Sequence, residues 1–72
     1  MIRNKAGLVA FGLRLRRLRD ERNLSQQALA DIANISKPAV QRIEKGTTST
    51  GLDLLFSLAE ALEMPVHELI KL

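Results

Sequence analysis

The 72 residues predict an all-α protein of five short helices, and three observations support that expectation. Leu, Ala, Arg and Glu are abundant, while β-branched apolar runs are absent. Apolar residues recur at three- and four-residue spacing. Ser, Asn, Pro and Gly fall where helices start and stop. The length allows one domain, spanning residues 1–72. A chain this short buries only about 60% of its unfolded surface, so it stands to gain from a partner subunit. Phe11 and Phe56 are the only aromatics, which makes the expected core aliphatic.

Leu8, Phe11, Leu15 and Leu18 mark one face of a first helix ending near Arg22, with residues 1–7 as a possible flexible arm. Ser25 caps a second helix, in which Leu29, Ile32 and Ala33 repeat the apolar spacing. Ser36 caps a third, and Pro38 sits in its first turn, where a missing N–H loses no intrahelical partner. Val40 and Ile43 face inward, and Gly46 stops this helix in the left-handed region. After the polar loop Thr47–Thr50, "TGLD" reads as a capping box between Thr50 and Asp53. It opens a fourth helix whose core line is Leu52, Leu55, Ala59 and Leu62. Pro65 breaks that helix, and "VHELIKL" forms a short fifth.

Charge is unevenly divided along the chain. Residues 1–45 hold ten Lys/Arg against Asp20, Glu21, Asp31 and Glu44, whereas residues 46–72 hold Lys71 against Asp53, Glu60, Glu63 and Glu68. A basic half joined to an acidic half suits a polyanion on one face; a solvated charged helix is the other reading. No apolar run approaches the roughly 20 residues needed to span a bilayer. "MIRNKAGLVAFG" has no secretory core, so the expected location is the cytoplasm.

The stretch "LSQQALADIANISKPAVQRIEKG" joins two helices through a tight turn, with the helix-turn-helix core at about residues 25–45. Asn34 can supply the positive φ that such a turn needs. At 100° per residue, Lys37, Pro38, Gln41, Arg42 and Lys45 lie opposite Val40 and Ile43, with Glu44 near the edge. A helix with such a face has the shape and chemistry to enter a DNA major groove; an ordinary helical hairpin with a polar outer face is the alternative.

From Arg14 to Ile70 the chain resembles the phage repressor/Cro type of helix-turn-helix domain, the Xre family. The matching segments are "LRLRRLRDERNLSQQALA", "NIS", "V..IEKG" and "LLFSLAEALEMPVHELI". The resemblance implies a five-helix domain, major-groove binding through the third helix, homodimers on inverted repeats, and transcriptional regulation. Carried over residue by residue, it makes Lys37, Pro38, Gln41 and Arg42 the base readers, with Arg42 gripping a guanine. Gln26, Ser36, Lys45, Thr47, Thr48, Ser49 and Arg16 become phosphate contacts, Ser36 being first a cap. Arg19 pairs with Glu44 in a structural role, while Arg14 and Arg17 stay solvated. The chain departs from the family at Asn23, Asn34 and Glu63, where Gly is common, and at Ala28, where an acid is common. It departs again at Pro38, in place of a polar reader.

Leftover aliphatic surface at Leu54, Leu58, Ala61, Ile70 and Leu72 predicts a dimer through the fourth and fifth helices; a wider monomer core is the alternative. His67 is the sole histidine and there is no cysteine, so neither a metal site nor a catalytic triad is expected, and no cofactor. The expected function is a homodimeric, sequence-specific regulator binding double-stranded DNA, such as an operon autoregulator or a restriction–modification controller. The alternative is an antitoxin-like module that neutralises a partner protein. No effector-binding module is expected within these residues.

Overall fold

The computed structural model describes residues 4–72. Five helices follow in chain order: α1 (Lys5–Glu21), α2 (Gln26–Ala33), α3 (Lys37–Glu44), α4 (Leu52–Ala61) and α5 (Val66–Leu69). Asn4 starts α1 by accepting the Gly7 N–H at 2.7 Å. Lys5–Gly7 are therefore helical rather than part of the flexible arm expected over residues 1–7; residues 1–3 of that stretch lie outside the described residues. Ser25 and Ser36 cap α2 and α3, their Oγ atoms accepting from Ala28 N–H at 2.9 Å and Ala39 N–H at 3.2 Å. Pro38 sits in the first turn of α3, where it costs no hydrogen bond.

Four helices end in the same way. Asn23, Asn34, Gly46 and Glu63 each adopt positive φ, between 55° and 72°. In each case the next residue's N–H reaches back to a carbonyl in the last turn: Leu24 to Arg19, Ile35 to Ala30, Thr47 to Arg42 and Met64 to Ala59, at 2.9–3.1 Å. This Schellman closure satisfies carbonyls that the helix leaves without partners. Leu24, Ile35 and Met64 then turn inward and pack on the core, supplying the apolar contact that accompanies the motif. Glycine provides the left-handed residue only once.

Leu15, Leu29, Val40, Leu58, Leu62 and Leu69 are fully buried at the centre, joined by Phe11, Leu18, Ala30, Ala33, Ile43 and Ala59. α1 and α2 both pack on α3, α2 on α4, and α4 on α5. Two expected core lines are shifted. In α2, Ile32 is 57% exposed and Ala30 takes the buried position. In α4, Leu52 is 70% exposed and Leu58, expected at a dimer interface, is fully buried. Leu52 is the first residue of α4 and stands clear of the core. Gly51 is the cap with no side-chain bond, the Thr50–Asp53 capping box does not form, and the inward stripe runs Leu55, Leu58, Ala59, Leu62. Nor does Pro65 break α4. The helix has already closed at Leu62–Glu63, and Pro65 instead caps α5, which ends at Leu69 rather than continuing through Leu72.

Gly12 lets α1 approach the end of α3. A Cβ at Gly12 would lie 2.5 Å from the Ile43 carbonyl oxygen and 2.6 Å from that of Glu44. Gly12→Ala should therefore lower stability by about 1–3 kcal/mol, because overpacking against rigid backbone outweighs the ~1 kcal/mol that alanine gains in helix propensity. A thermal midpoint several degrees lower is the expected readout. At the helix ends, Asn34→Gly should be close to neutral, whereas Asn34→Val should cost more than 1 kcal/mol. Glu63→Gly should raise stability by about 0.5–1 kcal/mol, since glycine carries no steric penalty at φ 55°. Urea titrations of the three variants check these signs.

Candidate nucleic-acid interface

The left-handed Asn34 (φ 60°, ψ 44°) ends α2, and Ser36 opens α3 two residues later, so α3 is docked across α2 by a three-residue connection. Val40 (0% exposed) and Ile43 (2%) fix the inner side of α3 in the core. Lys37, Pro38, Arg42 and Lys45 are exposed, and Gln41 is half-buried. The five residues expected on the outer side are thus all reachable from solvent. Neither α2 nor α3 has an acidic residue in its own first turn, so no side chain of either helix offsets the partial positive charge at its N-terminus.

Glu44 points away from this face. Arg19 Nε donates to its Oε2 at 2.7 Å and Arg19 Nη2 to its Oε1 at 3.1 Å, a two-point pair with side chains 11% and 5% exposed. Arg19 Nη1 also donates to the Leu24 carbonyl at 2.7 Å. The hydrogen bond to Glu44 raises the Arg19 pKa above its ordinary value, against the opposing effect of burial. Gln26 Nε2 adds a third donor to the Glu44 carboxylate at 3.0 Å. One carboxylate therefore ties α1, the start of α2 and the end of α3 together.

Arg16, Ser25, Gln26 and Lys37 line one cleft beside the N-terminus of α2, together with Arg19 and Gln27. The Arg16–Asp20 approach of 3.9 Å is solvent-exposed and leaves Arg16 available. At the other end of α3, the Thr47 hydroxyl donates to the Arg42 carbonyl at 3.1 Å, folding the loop back on the helix. Thr48 donates weakly to the Ser49 carbonyl at 3.4 Å. Ser49 is exposed. Such a ridge, cationic along α3 with amide and hydroxyl groups at both ends, can bind a polyanion.

The other basic residues of α1 divide into two kinds. Arg17 is exposed, as expected. Arg14 is not solvated: its Nη2 donates to the Glu68 carbonyl at 2.8 Å, and its buried Nε has no partner. Arg22 donates to the Leu62 and Leu18 carbonyls at 3.0 and 3.1 Å, joining the ends of α1 and α4. Neither long-range role is readable from the sequence, because the Glu68 and Leu62 carbonyls are backbone atoms distant along the chain. Among the expected dimer residues, Ile70 (48%) and Leu72 (66%) are exposed, and Leu54 and Ala61 are half-buried. His67 is exposed, 3.9 Å from Glu68. The described residues hold no cluster of His or carboxylates suited to a metal ion, and no helix among them is long and apolar enough to cross a membrane.

Comparison with known proteins gives a consistent result. Residues 15–69 match the family described as helix-turn-helix. The chain is 41% identical over 58 residues to the HTH-type transcriptional regulator DdrOP3 of Deinococcus deserti, a match spanning 81% of this chain and 45% of that protein. It is 35% identical over 60 residues to the cryptic phage CTXphi transcriptional repressor RstR of Vibrio cholerae, spanning 83% and 54%. The chain thus spans about half the length of these curated relatives. Among solved structures, the restriction-modification controller protein C.AhdI from Aeromonas hydrophila superposes with a TM-score of 0.87 and 39% identity, over 89% of this chain and 97% of that one. These relatives are named as regulators, not enzymes. With the five helices, the Asn34 turn and the exposed face of α3 in place, the chain belongs to the helix-turn-helix family of Xre-like, phage repressor/Cro-type domains.

Proposed function

We propose that the chain is a sequence-specific DNA-binding transcriptional regulator, working in the cytoplasm as a homodimer on an inverted-repeat operator. The observation that carries this reading is the outer side of α3. Lys37, Arg42 and Lys45 are exposed there, and the nearby carboxylate of Glu44 is turned inward and held by Arg19. In the major groove, Lys37, Gln41 and Arg42 approach base edges, Arg42 offers a two-point contact to guanine, and the Pro38 ring packs on a thymine methyl. Gln26, Arg16, Ser36, Lys45, Thr48 and Ser49 hold phosphates and set the register. Ser36 still has its hydroxyl proton to give, because its capping bond uses the oxygen as acceptor. Thr47 must release the Arg42 carbonyl before it can donate to a phosphate.

The similarity to C.AhdI, at 39% identity and a TM-score of 0.87, supports reading this domain as one of the restriction–modification controller kind. Exposed Ile70 and Leu72, with half-buried Leu54 and Ala61, supply the apolar surface for a second copy; the buried Leu58 takes no part. Two α3 helices related by a two-fold axis would lie about one helical turn, roughly 34 Å, apart along the DNA.

Selection of binding sites from randomised DNA tests this reading on the natural chain and two variants. Arg42→Ala should cost about 1–3 kcal/mol on the preferred site and flatten base preference at one position per half-site. Lys45→Ala should weaken all sequences alike and lower the salt slope by about one. A uniform loss with Arg42→Ala and an unchanged preferred sequence would make Arg42 a phosphate contact and remove it from the reading face. Sedimentation at tens of micromolar should show a dimer that Ile70→Asp shifts to monomer; a monomer throughout, with and without DNA, counts against the symmetric arrangement.

A further inference from the structure

We propose that Lys5 is a DNA-backbone contact, extending the phosphate-holding edge from the loop after α3 onto the first turn of α1. The inference rests on the DNA-binding reading above and adds to it a residue outside the helix-turn-helix core. Two close approaches place α1 against that loop. A Cβ at Gly46 would lie 2.8 Å from the Val9 Cα and 3.0 Å from the Val9 nitrogen, so the loop leaves α3 directly across α1 at Val9. At the far end of the loop, Thr50 lines a cleft with Leu8 and Phe11. Both ends of the loop are therefore seated on the Leu8–Val9 stretch, with Thr47, Thr48 and Ser49 between them.

Lys5 stands one turn before this contact. At about 100° per residue it falls between Leu8 and Val9 on the helix surface, on the same side as Gly12, which meets the end of α3. Side chains at three- and four-residue spacing are neighbours, so Lys5 flanks the loop rather than the far side of α1. It is exposed and makes no ion pair among the described residues, and α1 has no acidic residue in its first turn. The loop has use for such a group. Thr47, Thr48 and Ser49 offer hydroxyls but no positive charge, and the Thr47 hydroxyl is engaged with the Arg42 carbonyl. A neutral hydroxyl orients a phosphate, whereas a lysine also displaces its counterion. Lys45 brings that charge where α3 ends, and Lys5 brings it from α1, so the loop has a cation on each flank.

The test measures binding of the full chain to its selected DNA site over a salt series. Lys5→Gln should lower the salt slope by about one and weaken binding about three- to tenfold at about 0.1 M salt, on selected and random DNA alike. Lys5→Arg should keep the natural slope. So should Arg17→Gln, which removes an exposed cation about three turns further along α1. Glutamine matches lysine in helix propensity, so helical circular dichroism and the thermal midpoint should not move. Methylphosphonates placed singly along the site then locate the contact. The natural chain should lose affinity at an outer phosphate of each half-site where Lys5→Gln loses none. An unchanged slope in Lys5→Gln, or the same methylphosphonate pattern in both proteins, would overturn the proposal and leave the DNA-binding reading intact. A natural chain without salt-dependent DNA binding would overturn both.

Discussion

Arg19 and Glu44 meet where α1, α2 and α3 converge, with side chains only 11% and 5% exposed. Their position carries a physical obligation. A buried carboxylate without donors is costly, and a buried guanidinium equally so, so each holds the other in place. Glu44 is the last residue of α3, and Gln26 is the first of α2. Since both Arg19 and Gln26 donate to Glu44, the angle of α3 on the body of the domain is set by polar geometry as well as by the Val40 and Ile43 contacts. The close approach at Gly12, directly over the Ile43 and Glu44 carbonyls, belongs to the same junction. It brings α1 near enough for the Arg19 side chain to reach.

Much of this was legible in the sequence because it depended on local rules. Ser25 and Ser36 cap as their type predicts, Pro38 falls in a first turn, and Asn34 takes the left-handed turn. The five-helix class follows from the same signals. What was not legible depended on phase or on distant backbone. Which leucines of α4 face inward depends on how α2 and α5 pack against it: Leu52 stands exposed at the first helical position, and Leu58 is fully buried, which removes it from the expected dimer surface. Glu63 closes α4 with no glycine to mark the place, and Pro65, the visible helix breaker, lies two residues beyond the true stop. Arg14 and Arg22 give no sign in the sequence that their partners are the carbonyls of Glu68 and Leu62. As for the interface, its residue types and spacing on α3 were visible, while the engagement of the Thr47 hydroxyl with Arg42 was not.

The arginines of α1 change how the net charge should be understood. Arg14, Arg19 and Arg22 are all spent on internal acceptors, binding α1 to α5, α3 and α4 in turn. The basic excess of the first half is therefore partly structural. Among the described residues of the first half, the cations without an internal acceptor are Lys5, Arg16, Arg17 and those of the α3 face, while carboxylates collect around α4. Separation of the two signs on a small domain gives it two chemically distinct surfaces.

A double-mutant cycle on unfolding free energy, with Arg19→Met, Glu44→Leu and the pair together, tests this junction most directly. Each single change should cost about 3–5 kcal/mol, because it leaves one buried charge unpaired. The double change should cost far less than the sum, since no unpaired charge then remains. Additive losses, or single losses below about 1 kcal/mol as for an exposed pair, would show that apolar packing alone positions α3.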